Sequence, residues 1–401
     1  MKYTSVNKTR QTRYNDTIMK ILIATPIYPP EIGGPATYVK ELCTHLSPTH
    51  AITIVAYTDE RVAFPNTKLI AVSKQQSFFI RFPKYILALW KASKDTDVIY
   101  VQNAMASGLA VALVTRLRHK PFVLKFVGDE AWERATQRRE TVKRLEDFLE
   151  HPEGSLRIRL MMLVQGFVLR RASIVTTPSL YLTEELIKAY GVKRANTVVN
   201  YNATENTDEA SLVGNRIKNQ IVTTARLVAW KGIEGIIRAV AILKKKIPDV
   251  KLLVAGDGPE LENLKTLALS TGVSENVVFM GNVSREETRR IRKESEVYVL
   301  NSTYEGLPHT VLTSFDAMIP TVATNISGTN EAVYHEQTGL LVEPGDDQGL
   351  ADAIERILNN PELGKTLAQN AKNLLKEKFS WEAHLKTLNG ILESVVTKPR
   401  N

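Results

Sequence analysis

The chain reads as an α/β protein of two doubly wound domains, each a parallel sheet covered by helices. Three observations predict this. Short β-branched runs alternate with longer helical patterns, as βαβ units require. The alternation stops at a polar, aperiodic stretch and then starts again. Finally, 401 residues exceed what one ordinary core holds, so two domains are expected.

"KILIAT" (20–25) is the first buried strand, apolar almost throughout after its lysine. "AITIVAY" (51–57), "VIYVQ" (98–102), "FVLKFV" (122–127) and "SIVTTPS" (173–179) follow, with helical stretches between them. "AMASGLAVALV" (104–114) is the longest apolar run. It falls short of the roughly 18 residues a membrane span needs, and its small residues suit a buried helix. "NYNATENTDEASLVGN" (200–215) has no period and marks the connection between domains. Beyond it come "QIVTTARL" (220–227), "KLLVAGDG" (251–258), "VVFMG" (277–281), "VYVLNS" (297–302) and "PTVATN" (320–325). The expected division is a polar tail at 1–19, a first domain at 20–204, a linker at 205–216 and a second domain at 217–379. In such sheets ligands bind beyond the carboxyl ends of the strands, so a cleft between the domains is the expected site.

Composition narrows the class. With 43% hydrophobic and 24% charged residues the chain is globular rather than disordered. One cysteine, Cys43, excludes a disulfide framework and fits a reducing cytoplasm. The first residues are polar and lack a signal-peptide core. Lysine and arginine number 52 against 43 acidic residues, a formal charge of +9. The excess clusters at "RLRHK" (116–120), "RRETVKR" (138–144) and "LRIRLMMLVQGFVLRR" (156–171). No zinc spacing or RNP-type box accompanies these clusters, which argues against nucleic acid. Cations interleaved with apolar residues match either an anionic membrane surface, which would make the cytoplasmic protein peripheral at the inner face of a membrane, or solvated helix faces beside core stripes.

Chemistry concentrates in the second half. In "TARLVAWKG" a strand ends at Arg226, and Lys231 stands five residues on; a planar fork and a point charge together suit a diphosphate. "VAGDGPE" (254–260) makes a strand-to-helix turn. "NSTYEGLPHTVL" (301–312) carries Glu305 and Gly306 on a turn, with Pro308 where a first helical residue is tolerated. The backbone around Gly306, Leu307, Pro308 and His309 would present the positive end of a helix to phosphate oxygens, and the His309 ring would either add a donor or simply stand exposed at the helix start. Glu305 would repel phosphate, so it is expected to face sugar hydroxyls or a developing cation.

Taken together, "PIYPPEIGGPATYVKEL" (26–42), "ARLVAWKG" (225–232), "AGDGP" (255–259), "YEGLPHTVL" (304–312), "ATNISGTNEAV" (323–333) and "TGLLVEPGD" (338–346) resemble family 4 of the retaining glycosyltransferases. The resemblance runs from residue 20 to the end and implies the GT-B fold, two Rossmann-like domains flanking a cleft. It implies that a nucleoside-diphosphate sugar binds the second domain, with Arg226 and Lys231 on its phosphates. Glu305 would then lie by the sugar ring, and Gly281 against the base. Gly33 and Gly34 would let the first domain's loop approach donor and acceptor. The ending "FSWEAHLKTLNGILESV" (379–395) resembles the family's terminal helix, which returns to complete the first domain.

Two departures stand out. The family usually carries a second glutamate where this chain has Thr313, and there it grips the ribose. Exchanging a charged for a neutral hydrogen bond should cost on the order of tenfold in donor affinity, and Asp316, one turn on, could recover part of it. The family also often carries a histidine near Val127; here "KFVGDEAWER" (125–134) offers Asp129 and Glu130 instead. Asp129 is expected either to face the acceptor or to cap the next helix. The resulting expectation is a hexosyltransferase acting on a lipid-linked or cell-envelope glycan, with no metal and no cofactor beyond the donor. The alternatives are a sugar-nucleotide epimerase of the same fold and a binding protein without turnover.

Overall fold

The computed structural model describes residues 18–31, 33–204 and 216–397. Its strands are β1 (Lys20–Thr25), β2 (Ala51–Tyr57), β3 (Thr67–Val72), β4 (Val98–Val101), β5 (Phe122–Lys125), β6 (Ile174–Thr177) and β7 (Thr197–Val199). They continue as β8 (Gln220–Thr224), β9 (Lys251–Ala255), β10 (Val277–Gly281), β11 (Val297–Leu300), β12 (Thr321–Thr324) and β13 (Leu340–Val342). One sheet runs β3-β2-β1-β4-β5-β6-β7 and the other β10-β9-β8-β11-β12-β13. Pairing is parallel, for example Ile221 with Leu252 and Tyr298 with Thr321.

Ten of these strands coincide with runs expected from sequence, to within a few residues at their ends. The other three, β3, β7 and β13, all lie at sheet edges. An edge strand is short or half-wet, so it lacks the continuous apolar run that betrays a central parallel strand. "TKLIAV" in β3 is largely half-buried, and β7 and β13 have three residues each.

Contacts group the chain into two compact units, Met1–Val123 and Leu124–Asn401. The division therefore falls inside β5, away from the expected linker, whose residues 205–215 lie outside those described. Specific bonds tie 124–204 to the residues beyond 216. Glu331 accepts the amides of Leu180 and Tyr181, both at 2.9 Å, and the hydroxyl of Tyr201 at 3.1 Å. In the last helix, Trp381–Thr397, His384 bonds the carbonyl of Tyr201. The expected tail also shortens by one residue. Met19 is buried, and its carbonyl accepts the amide of Ala51 at 2.9 Å.

In the second unit, neighbouring residues of one strand enter opposite cores, which is why these strands read as unbroken apolar runs. Ile221, Leu252, Val254, Val297 and Val299 pack on one face of the sheet. Val222, Leu253, Tyr298 and Leu300 pack on the other. The chain leaves β8 for β9 and β10, then returns to the far side of β8 as β11. That reversal opens a crevice at the carboxyl ends of β8 and β11, the two strands that lead to Arg226 and to Glu305.

Candidate functional site

Arg226 follows β8 and is exposed; Lys231 closes a short helical turn and is half-buried. Gly232 then takes φ +61°, and a Cβ there would lie 2.0 Å from the carbonyl oxygen of Asn301. Only glycine fits, and the close approach brings Lys231 to the end of β11. There the Lys231 ammonium donates to Glu305 Oε1 at 2.6 Å, and Ser302 Oγ donates to the same oxygen at 2.7 Å. Among the described residues nothing donates to Glu305 Oε2. Lys231, expected on the phosphates, thus also holds the buried Glu305 carboxylate in place.

Gly306 is fixed by a similar constraint. Its Cβ would meet the carbonyl oxygen of Val127 at 2.8 Å. Leu307 and Pro308 are buried, and Pro308 is the cap of the helix His309–Asp316 rather than its first residue. Its carbonyl accepts the amide of Val311 at 3.0 Å. His309 opens the helix and is exposed. Gly281 ends β10 with φ +64°, and its carbonyl accepts the amide of Gly256 at 2.8 Å.

A cavity of about 750 Å³ lies along these strand ends. Thr224, Arg226, Gly256, Asn282, Arg292 and Thr310 are among the residues lining it. Of these, sequence reasoning had singled out Arg226 and the glycine turn. In the first unit, Gly33 precedes the helix Gly34–Leu46, which follows β1. A side chain at Gly34 would meet none of the described residues within 4 Å, whereas one at Gly33 would press on Ile27.

Two expectations need correcting: Asp129 as a group facing the acceptor, and Asp316 as a ribose ligand. Asp129 caps the helix Glu130–Gln137 through the amide of Trp132 at 2.8 Å. Its other oxygen accepts Gln165 Nε2 at 2.6 Å and the hydroxyl of Tyr190. It is 1% exposed, and burial pushes its carboxyl up from the usual range. Such a group anchors helices and is not presented to an acceptor. Asp316 is likewise engaged, by Lys372 at 2.8 Å and Arg289 at 3.4 Å, so it is not open to a ribose. Thr313 is half-buried, and its hydroxyl donates to the carbonyl of Thr310 in its own helix at 2.9 Å.

The carboxylate that sequence reasoning missed is Glu133, one turn beyond Asp129. It folds over Gly128, where a Cβ would lie 2.6 Å from Glu133 Oε1 and 3.6 Å from the hydroxyl of Tyr304. That hydroxyl is buried without a hydrogen-bond partner among the described residues. Trp132 packs beside it, 4.5 Å from the Tyr304 ring and 5.7 Å from that of Trp230. Nothing in the sequence marks position 133, because the burial of the Asp129 cap, which sets the inward face of this helix, emerges only in the structure.

Burial, with Glu130 and Asp129 nearby, raises the Glu133 carboxyl from 4.5 to about 7, against the pull of Lys231 and Arg226. The folded protein therefore binds this proton up to about pH 7, where the unfolded chain has already released it. Stability from this group is full below pH 4.5 and falls as pH rises to about 7. Glu133→Gln should flatten that slope and gain on the order of 2 kcal/mol over the native protein at pH 8. Denaturant melts across pH 5–8 measure it; parallel curves for the two proteins would remove Glu133 as the source.

Two family models tile the chain. The one described as Glycosyltransferase Family 4 matches residues 32–206, and Glycosyl transferases group 1 matches 204–374. The chain belongs to glycosyltransferase family 4. This glycosyltransferase is 25% identical over 400 residues to an uncharacterized glycosyltransferase of Methanocaldococcus jannaschii, covering 94% of this chain and 99% of that one. It is 33% identical over 163 residues to the lipopolysaccharide core biosynthesis glycosyltransferase LpsD of Rhizobium meliloti. That match spans 41% of this chain and 46% of LpsD, less than half of either. Among solved structures, Anabaena HepE in complex with UDP and glucose superposes with a TM-score of 0.74 at 20% identity. The alignment covers 94% of this glycosyltransferase and 100% of HepE, and it shows that the fold is GT-B.

Proposed function

We propose that this enzyme is a retaining glycosyltransferase that moves a hexosyl unit from a nucleoside-diphosphate sugar to an acceptor hydroxyl. The observation that carries the reading is that Arg226 and Thr310, in the first turn of the helix His309–Asp316, line one cavity, while the Lys231–Glu305 pair joins the segments that follow β8 and β11. Cations and a positive helix end suit a leaving diphosphate, and a carboxylate held beside them suits the sugar. The charge that develops when the bond from the anomeric carbon to the diphosphate breaks is met by these groups, so no metal is invoked. Retention rests on the family resemblance.

The test is a panel of sugar nucleotides with turnover and binding read together. A transferase releases nucleotide and consumes acceptor; an epimerase returns an altered donor; a binding protein does neither. Arg226→Ala should weaken diphosphate binding by about 1.5 kcal/mol, the low end for a charged hydrogen bond because the side chain is exposed. Unchanged affinity in that variant would remove Arg226 from the donor site.

The acceptor in this reading is a lipid-linked or cell-envelope glycan met at the inner face of a membrane. No helix among the described residues is long and apolar enough to cross one. The helix Leu156–Arg171 instead leaves Leu156, Leu160 and Leu163 exposed by 83%, 58% and 69%, at i, i+4 and i+7. Exposed Arg157 and Arg159 stand beside them. An apolar stripe flanked by cations fits an anionic lipid surface, at about 1 kcal/mol per basic residue. The protein should sediment with anionic vesicles and not with neutral ones, and salt should release it. Equal failure with both vesicle types would reduce the stripe to ordinary surface.

A further inference from the structure

Arg292 is the most unusual charge in the cavity wall. It lies on the helix Arg285–Glu294 and is only 6% exposed. Its helix neighbours have carboxylates: Arg289 meets Asp316, and Arg290 meets both Glu287 and Glu294. Arg292 has none among the described residues. One terminal nitrogen donates to the hydroxyl of Thr224, the guanidinium lies 5.5 Å from the centre of the Tyr298 ring, and Nε has no acceptor. Burial holds its acidity above that of an ordinary guanidinium, with no acidic side chain but the Tyr298 phenol to oppose it.

A buried charge without a counter-ion is costly, and one hydroxyl with one aromatic face returns little of that cost. The missing counter-charge is expected from whatever fills the cavity. Asp257, the carboxylate among its lining residues, accepts the amide of Gly258 at 2.7 Å and so serves its own turn. Arg292 also adds positive potential at His309, the first residue of the helix that opens on the crevice.

We infer that Arg292 is a phosphate ligand of this pocket, donating from its guanidinium to a non-bridging oxygen of the nucleoside diphosphate; this rests on the donor reading given above. The bound diphosphate would then lie between an exposed arginine, Arg226, and a buried one. Since the buried arginine is desolvated before the ligand arrives, it loses little hydration on binding and carries more of the discrimination between nucleotide and nucleoside.

The experiment compares native protein, Arg292→Met and Arg292→Lys by calorimetric titration and thermal melting. The probes are UDP, GDP, ADP and dTDP, the matching nucleosides, and inorganic pyrophosphate. Arg292→Met should lose at least tenfold in affinity for the preferred diphosphate and less than threefold for its nucleoside. Without ligand it should melt no lower than the native protein, because an uncompensated buried charge is gone. Arg292→Lys should recover part of the diphosphate affinity. The inference is overturned if Arg292→Met binds the diphosphate as the native protein does. It is equally overturned if the variant melts lower and loses both ligands by one factor, since that marks a structural role. Should none of the nucleotides bind the native protein, the donor reading fails by itself. Pyrophosphate then decides: binding that Arg292→Met abolishes supports the anion site, and its absence in the native protein sinks it.

Discussion

Glu305→Gln is expected to lower turnover at least ~100-fold while leaving nucleotide affinity unchanged or slightly tighter. The two effects have separate causes. Glu305 is buried, and its hydrogen bonds from Lys231 and Ser302 fall on the same oxygen, Oε1. The amide keeps the shape and can still accept at one oxygen, so the turn ahead of Gly306 should hold. On the proposed mechanism, what disappears is a negative charge beside the anomeric centre that turns cationic as the diphosphate departs. One electrostatic or acid–base group of this kind contributes about 10²–10⁴ in rate. Removing the charge also frees the Lys231 ammonium from its counter-ion and makes it a better partner for phosphate. Steady-state turnover with saturating donor, alongside titration with the nucleoside diphosphate, separates the effects. A variant that keeps most of its rate would refute the role of Glu305, and one that loses affinity in step with rate would make the carboxylate a brace for Lys231 instead.

Which candidate residues a sequence can offer and which it hides divide along a physical line. Arg226, Lys231, Glu305 and Gly306 sit where a strand passes into a turn and then a helix, a local pattern with its own residue signature. Their spacing along the chain is enough to suggest a phosphate site. Glu133, Tyr304 and Arg292 carry no such signature. Their importance depends on which helix face turns inward and on partners distant in sequence, as when Arg292 reaches Thr224 across 68 positions. Asp129 and Glu133 make the point within one helix. Either carboxylate could have faced the site; the cap position turned Asp129 toward Gln165 and Tyr190, and four residues on the same face delivered Glu133. Edge strands were lost for a related reason, because half-wet backbone leaves no apolar run to find.

Asp316→Ala is expected to lower stability by about 3 kcal/mol and to leave nucleotide affinity alone. A ribose-gripping aspartate would behave in the opposite way. The structure places Asp316 at the end of the helix His309–Asp316, where its Oδ1 accepts the Lys372 ammonium at 2.8 Å. The two side chains are 10% and 5% exposed, so the pair is nearly dry and ties this helix to the helix Pro361–Lys378. Removing one partner of a buried pair costs about 3–5 kcal/mol, because the other charge stays behind in a poor solvent. Lys372 keeps a bond to the main-chain oxygen of residue 316 at 3.3 Å, which argues for the lower end. Arg289, at 3.4 Å and more exposed, adds little. The double variant Asp316→Ala, Lys372→Met should recover most of the loss, since it removes the stranded charge and fills the space with an apolar side chain. That non-additivity is what a direct pair requires. Denaturant melts of the two single variants and the double measure the coupling, and nucleotide titration on each supplies the second axis. A stable Asp316→Ala protein with weakened nucleotide binding would restore Asp316 to the ribose, whereas a destabilised one with native affinity assigns it to the scaffold beneath the site.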